Sequence, residues 1–426
     1  MAKKPENLQG AAASRKAHAR NVALAKAFLC AIAVCAAFAL GFLARGNAPL
    51  MESLGFLSPS GEQGPSASSS QAADTYTSLG ARVSEVEQMV GEDSLDSFDL
   101  DQATSSVLDA FAASTKDSYL RYYDAARFAA LSKDSANQYG GIGVLFSEYN
   151  GRAYAVDVFE GSGAQLANVQ VNDFVVAIDG DRSHDWTQTE VAAALKREEG
   201  SDVVITWRRP ATLEDAGGRE FTTTLAVSNS TVKNVTAELH DAVGYIQLRQ
   251  VSQNASDLVK AALSDLDGQG AQAFVLDIRD NPGGYLTQAV DTASLFVRSG
   301  ALVRIQTTEP QESTKNATGT VATDKPLVVL VNGNTAASAE VLAAALQDNQ
   351  RATLVGATTL GKGSVQVTRD LSFGGALRYT AAYYLSPLGH AIDGVGVVPD
   401  VQVGAADDDD NQKALALETA QSLVKE

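Results

Sequence analysis

From residue 243 to about residue 400, short β-rich runs alternate with stretches of helical period, and that alternation leaves few folds open. Residues 244–250 (GYIQLRQ), 273–280 (AFVLDIRD), 326–332 (PLVVLVN) and 352–356 (ATLVG) read as strands. Residues 255–266, 286–297 and 336–347 read as the helices between them. A hairpin-like pair follows at 364–372 and 376–385. Strands joined through helices must cross over a sheet, so this part is expected to be an α/β core with a largely parallel sheet.

The preceding segments have a different grain. Residues 139–228 hold short β-rich runs (IGVLF, AYAVDVF, DFVVAI, DVVITW, FTTTLAV) separated by Gly, Asn and Asp turns, with one helical segment at 188–196. Residues 74–138 are expected to be helical, because Leu100, Ala103, Val107, Leu108, Phe111 and Ala112 recur at helical spacing, with Asp101 as a cap.

The chain of 426 residues carries a formal net charge of -18, which argues against a nucleic-acid partner. Its first 26 residues run the other way, at +5. They precede an uncharged apolar run at 27–43 (AFLCAIAVCAAFALGFL) that, with the apolar residues 22–25, approaches the length of a bilayer crossing. The charge bias predicts a cytoplasmic N-terminus, a membrane anchor at 27–44 and export of everything after it. A cleaved signal peptide is the rival reading and exports the same part. Residues 45–73, rich in Ser, Gly and Pro over their second half, read as a flexible linker, and 404–411 as a solvated acidic loop before a terminal helix. Both cysteines, Cys30 and Cys35, fall in the apolar run, and the four histidines are scattered. No disulfide framework, metal site or cofactor is expected.

Four segments carry the chemistry. Gly141, Ile142, Gly143 and Val144 form a Gly-x-Gly turn entering a strand, an arrangement that can hold a terminal carboxylate on backbone N–H groups while the strand edge pairs with a peptide. Residues 276–284 (LDIRDNPGG) run from a buried strand into a Pro-Gly-Gly turn, whose N–H groups suit an oxyanion. Residues 331–340 (VNGNTAASAE) open a helix, and 361–366 (GKGSVQ) place a lysine between glycines.

In that order, these blocks resemble the carboxy-terminal processing peptidases, PDZ-containing serine peptidases with a Ser/Lys site; the resemblance covers about residues 75–402. It implies a helical region at 74–138, a PDZ-like domain at 139–228, a ClpP/crotonase-like α/β peptidase core at 229–402, and an acidic loop with a C-terminal helix at 403–426. Residues 159–164 and 171–180 resemble the family's PDZ segments, with Gly163 in place of a proline and Asn168 and Asn172 in place of glycines. Asn tolerates the left-handed backbone such turns need. The resemblance assigns Lys362 as base and Gln366 as its support. It makes Gly283 and Gly284 the oxyanion candidates, protein or peptide C-terminal tails the partners, and a PDZ movement the gate. The oligomeric state is left open.

The chemistry is coherent by itself. A serine hydroxyl needs a base, and a lysine amine can serve if burial lowers its affinity for a proton. The family's nucleophile position falls on Ala337, which has no hydroxyl, and Ser338 is its neighbour. Three readings fit: Ser338 serves through a one-residue shift at the helix start; the chain binds peptides without cutting them; or Ala337 stands where an active parent has serine.

Overall fold

The computed structural model describes residues 78–132, 141–228, 233–309, 313–403 and 409–425. The basic tail, the expected anchor at 27–44 and the linker lie outside the described residues. Among the described residues no helix is long and apolar enough to cross a membrane. The chain divides into two units, one ending at Phe98 and one starting at Asp99. In the first, helix α1 (Leu79–Asp93) starts at Ser78, whose Oγ accepts from Ala81 N at 3.2 Å, and no side chain of α1 is buried.

The second unit opens with α2 (Leu100–Ser114). Its cap is Asp99 rather than Asp101: Asp99 is extended (φ -85°, ψ 120°) and its carboxylate accepts from Gln102 N at 2.9 Å. The apolar spacing that signals this helix does not build a core. Only Ala112 is buried, while Val107 and Phe111 are exposed. The region 74–138 is also not wholly helical. Strand β1 (Arg121–Tyr123) interrupts it before α3 (Ala125–Ser132), because Tyr122 and Tyr123 bury their rings.

A smaller sheet of five antiparallel strands follows in chain order: β2 (Val144–Tyr149), β3 (Arg152–Val158), β4 (Phe174–Ile178), β5 (Asp202–Arg209) and β6 (Arg219–Ala226). A short helix, α4 (Gly163–Leu166), and α5 (Gln188–Ala194) accompany it. Thr187 and Glu190 close a capping box at the start of α5. Trp207, Ile205, Val203 and Val191 are fully buried in its core. Asn168 (φ 62°) and Asn172 (φ 72°) take left-handed turns, as expected of residues standing in for glycine.

The larger sheet has the order β16-β13-β12-β9-β8-β7. It comprises β7 (Val235–His240), β8 (Val243–Leu248), β9 (Ala273–Asp277), β12 (Leu327–Val331), β13 (Thr353–Gly356) and β16 (Val401–Gln402). Every pairing is parallel except β7 with β8. Alternate residues of β9 and β12 face opposite ways. Phe274, Leu276, Val329 and Val331 join the core beneath α6 (Ala255–Gly268), α7 (Leu286–Ser294) and α8 (Ser338–Asp348). Val275, Val328 and Leu330 join a second core with Ala416 and Ala420 of α9 (Asp409–Lys425). A third sheet collects β1, β10 (Ala301–Gln306), β11 (Ser313–Asn316) and the hairpin of β14 (Ser364–Asp370) and β15 (Ala376–Leu385). Strand β15 pairs with β1, β10 and β14.

Candidate active site

Parallel neighbours bring their C-terminal ends to one side of a sheet, and β9 and β12 are neighbours with Leu330 opposite Asp277. The Pro-Gly-Gly turn after β9 therefore meets the turn after β12. Asn332 ties them: its Oδ1 accepts from Asp280 N at 3.0 Å, and its Nδ2 donates to Asp280 Oδ1 at 2.9 Å. Thr335 is committed to structure, its Oγ1 donating to Ile278 O at 2.9 Å.

Ala337 then takes φ 52°, ψ -121°, a conformation that L residues rarely occupy and that costs about 1–3 kcal/mol. A strained strand-to-helix turn of this kind lifts one side chain clear of the backbone and is the device that presents a nucleophile. Ala337 is half-buried there, whereas Ser338, the first residue of α8, is 1% exposed. Ser338 Oγ makes no hydrogen bond, so none joins it to Lys362 Nζ.

Gly283 lies flush against this turn. A Cβ at Gly283 would sit 2.7 Å from Ala336 O, 2.8 Å from Ser338 N and 2.9 Å from Ala337 Cβ, so no other residue fits. Its N–H is already used, donating to Asn281 Oδ1 at 2.9 Å. The N–H groups of Gly284 and Ser338 take no part in the hydrogen bonds found among the described residues, whereas Ala339 N–H donates to Ala336 O at 3.0 Å. Gly284 and Ser338, rather than Gly283, are thus the donors left for a negative charge beside position 337.

Lys362 reaches the same place from the loop before β14. Gly363 allows it, since a Cβ there would fall 2.3 Å from Asp393 N. Glu340 fixes the loop. Its two oxygens accept from Thr359 Oγ1 (2.5 Å), Gly361 N (2.7 Å), Lys362 N (2.8 Å) and Ala337 N (2.9 Å). Burial pushes the Glu340 carboxyl up to about 7, against those four bonds, which favour its ionised form. The Lys362 amine is held below its ordinary 10.5, first by burial and further by Arg378, while Glu148 and Glu340 oppose the drop. Gln366 Nε2 donates to Ser364 Oγ at 3.0 Å, which leaves its amide oxygen as the acceptor available to an amine. Lys362, Gln366, Ser338, Ala337, Gly283 and Gly284 line one cavity of about 220 Å³ with Arg378, Gln188, Gln250 and Tyr384.

The candidate peptide-binding turn sits at the edge of the smaller sheet. Gly141 is engaged in both directions with Ser228, so its N–H is not free. Ile142 is buried, and Gly143 adopts φ 85° where a Cβ would meet Ser162 Cβ at 2.1 Å. Val144 begins β2, an edge strand paired only with β3. Gln188 Nε2, from α5, donates to the β2 carbonyl of Phe146 at 2.7 Å.

Sequence reasoning did not single out Glu148, Arg378 or Tyr119, all of which surround Lys362. Glu340 stood in a recognised motif with no role attached. No local pattern marks the first three: Tyr119 and Glu148 reach the lysine from distant parts of the chain, and Arg378 from the far strand of the hairpin of β14 and β15.

Residues 242–403 match the model of Peptidase family S41. A carboxyl-terminal-processing protease of Synechocystis sp. is 34% identical over 307 residues, 70% of this chain and 70% of that protein. One of Picosynechococcus sp. is 34% identical over 290 residues, 67% of this chain and 69% of that protein. Among solved structures, the photosystem II D1 C-terminal processing protease is similar at 28% identity, covering 79% of this chain and 91% of that one with a TM-score of 0.63.

Proposed function

Because this chain belongs to peptidase family S41, among the carboxyl-terminal-processing serine proteases, we propose that it is an exported, membrane-anchored endopeptidase that captures unstructured C-terminal tails and cuts them with a Ser/Lys mechanism. The observation that carries this reading is the buried Lys362 amine sharing one cavity with the elbow at 337 and with Ser338. In the proposed cycle, Ser338 Oγ gives its proton to neutral Lys362 and attacks the scissile carbonyl. The oxyanion is stabilised by unused backbone N–H groups, with Gly284 and Ser338 the candidates. The lysine ammonium then protonates the leaving amine, and water, deprotonated by the same lysine, releases the acyl group. Gln366 orients the amine. The anchor at 27–44 and outward placement follow from charge and hydropathy alone.

Tail capture is assigned to residues 139–228, read as PDZ-like. Edge strand β2 supports strand addition, and the turn at 141–144 supports carboxylate capture. Gly143→Ala is expected to weaken binding of a tailed peptide at least tenfold, because a Cβ meets Ser162 and strains a left-handed turn. Titration calorimetry with wild-type protein and variant checks this; equal affinities would remove the turn from the site.

A second reading has its own support: the elbow is built at Ala337, one residue and about 100° of helix rotation away from the Ser338 hydroxyl. On this reading the chain binds tails without cutting them. Incubating the full chain with an unfolded tailed peptide separates the two. If Ser338 is the nucleophile, wild-type protein yields fragments and Ser338→Ala yields none. If the machinery serves position 337, wild-type protein binds without cutting and Ala337→Ser gains cleavage by at least tenfold over background. Cleavage by neither protein between neutral and alkaline pH would leave only the binding role.

A further inference from the structure

Lys362 is enclosed by groups from separate elements. Tyr119, between α2 and β1, sets its ring centroid 5.3 Å from Nζ. The charged groups that bear on the amine are Glu148 of β2, Arg378 of β15 and Glu340 of α8. Glu340 already accepts four hydrogen bonds. Glu148 is 1% exposed. It lies 3.0 Å from Arg378 Nη2, accepts from Arg378 Nη1 at 3.2 Å, and accepts from Gln188 N at 3.2 Å. A carboxylate on the smaller sheet is therefore paired, shielded from water, with Arg378, which lines the cavity that also holds Lys362. In such a space an opposite charge favours the charged form of each partner far more than it does in water.

We propose that Glu148 is a positioning residue for the base: the counter-ion of Lys362, which sets the pH at which that amine releases its proton. The proposal rests on the reading of Lys362 as general base. While β2 lies against the core, Glu148 opposes the loss of the proton. With the Glu148 charge removed, Arg378 and Glu340 remain as charged neighbours, and Lys362 gives up the proton more readily. A residue of the peptide-capturing unit thus tunes the base of the cutting unit, through charge rather than through blockage.

The test is an NMR pH titration of the full chain labelled with [ε-13C]lysine, with Lys362→Arg identifying the resonance. Glu148→Gln keeps the shape and can still accept from Arg378 and Gln188. It is expected to lower the Lys362 midpoint by about one unit or more, giving about tenfold more free amine at a fixed pH below that midpoint. Glu148→Asp, which restores the charge, is expected to bring the midpoint back towards the wild-type value; loss of packing alone would not be rescued this way. By reciprocity, Lys362→Met raises the Glu148 midpoint, read on [δ-13C]glutamate, and this arm does not depend on the folding of a Glu148 variant. An unchanged Lys362 midpoint in folded Glu148→Gln, or an unchanged Glu148 midpoint in Lys362→Met, overturns the proposal. No cleavage is needed for either readout, so a chain that cuts no peptide would sink the peptidase reading and leave this result standing.

Discussion

Lys362→Met is expected to lower peptide cleavage by about 10³-fold while leaving the fold at least as stable as the wild type to within about 1 kcal/mol. The two halves of this expectation come from one fact, the burial of the amine. A general base with no substitute in the cavity accounts for a loss of that size, and the cavity offers none: the other basic side chain lining it is Arg378, which stays protonated. Stability is preserved because a buried amine carries a desolvation cost that methionine, of similar length, does not. Glu148 keeps Arg378 as its partner in the variant. Burial also fixes the sign of the pH dependence. The base acts when neutral, so cleavage rises with pH to a midpoint that lies below the ordinary 10.5 of a lysine. Cleavage should be measured in the wild type and in Ala337→Ser, each with and without Lys362→Met, alongside thermal melts. Cleavage that survives the loss of Lys362 within a factor of ten would remove the lysine from the mechanism.

The parallel core was legible because its central strands are buried on both faces and its helices have clear period; the runs at 244–250, 273–280 and 326–332 overlap β8, β9 and β12, and extend two, three and one residues past their C-terminal ends. The adjacency of the two turns that line the candidate site follows from that topology. Other parts left weaker traces. Strand β1 is three residues long, and only pairing with β15 makes Arg121–Tyr123 extended within a helical neighbourhood. The third sheet is stitched from β1, β10, β11, β14 and β15, segments with no common period that a chain-order reading could join. Turn conformations were readable where chemistry dictates them, as at Asn168 and Asn172. The environment of Lys362 was not. Positions 119 and 148 lie far from 362 in sequence, and Arg378 lies across the hairpin of β14 and β15; an isolated Tyr, Glu or Arg on a strand or loop looks like any surface residue until the fold closes over it. Glu340 is the intermediate case: its spacing from position 337 was visible, but its reach to Thr359, Gly361 and Lys362 is purely tertiary.

That reach makes Glu340→Gln the most damaging isosteric change expected near the site, about 3 kcal/mol of stability at pH 8. Above its folded midpoint of about 7 the carboxylate is ionised, and each oxygen accepts two hydrogen bonds. An amide can place its oxygen towards one pair of donors only. Its NH2 group then faces either Thr359 Oγ1 and Gly361 N, or Lys362 N and Ala337 N. One buried and one part-buried donor then lose their acceptor, and the loss at a buried donor costs about 1–3 kcal/mol. The strain at Ala337 adds to the consequence, because the bond from Ala337 N to Glu340 Oε2 is one of the contacts holding φ 52° in place. The variant should also lose a pH slope. Burial raises the folded midpoint, so between about 4.5 and 7 the native protein keeps a proton that the unfolded chain has released. Wild-type stability therefore falls as pH rises through that window, and the glutamine variant lacks this contribution. Denaturant melts at pH 5 and pH 8, with hydrogen exchange at Gly361 and Lys362, read both effects. Equal melting at pH 8 with unchanged protection of those two amides would mean that the loop bearing Lys362 is held by something other than this carboxylate.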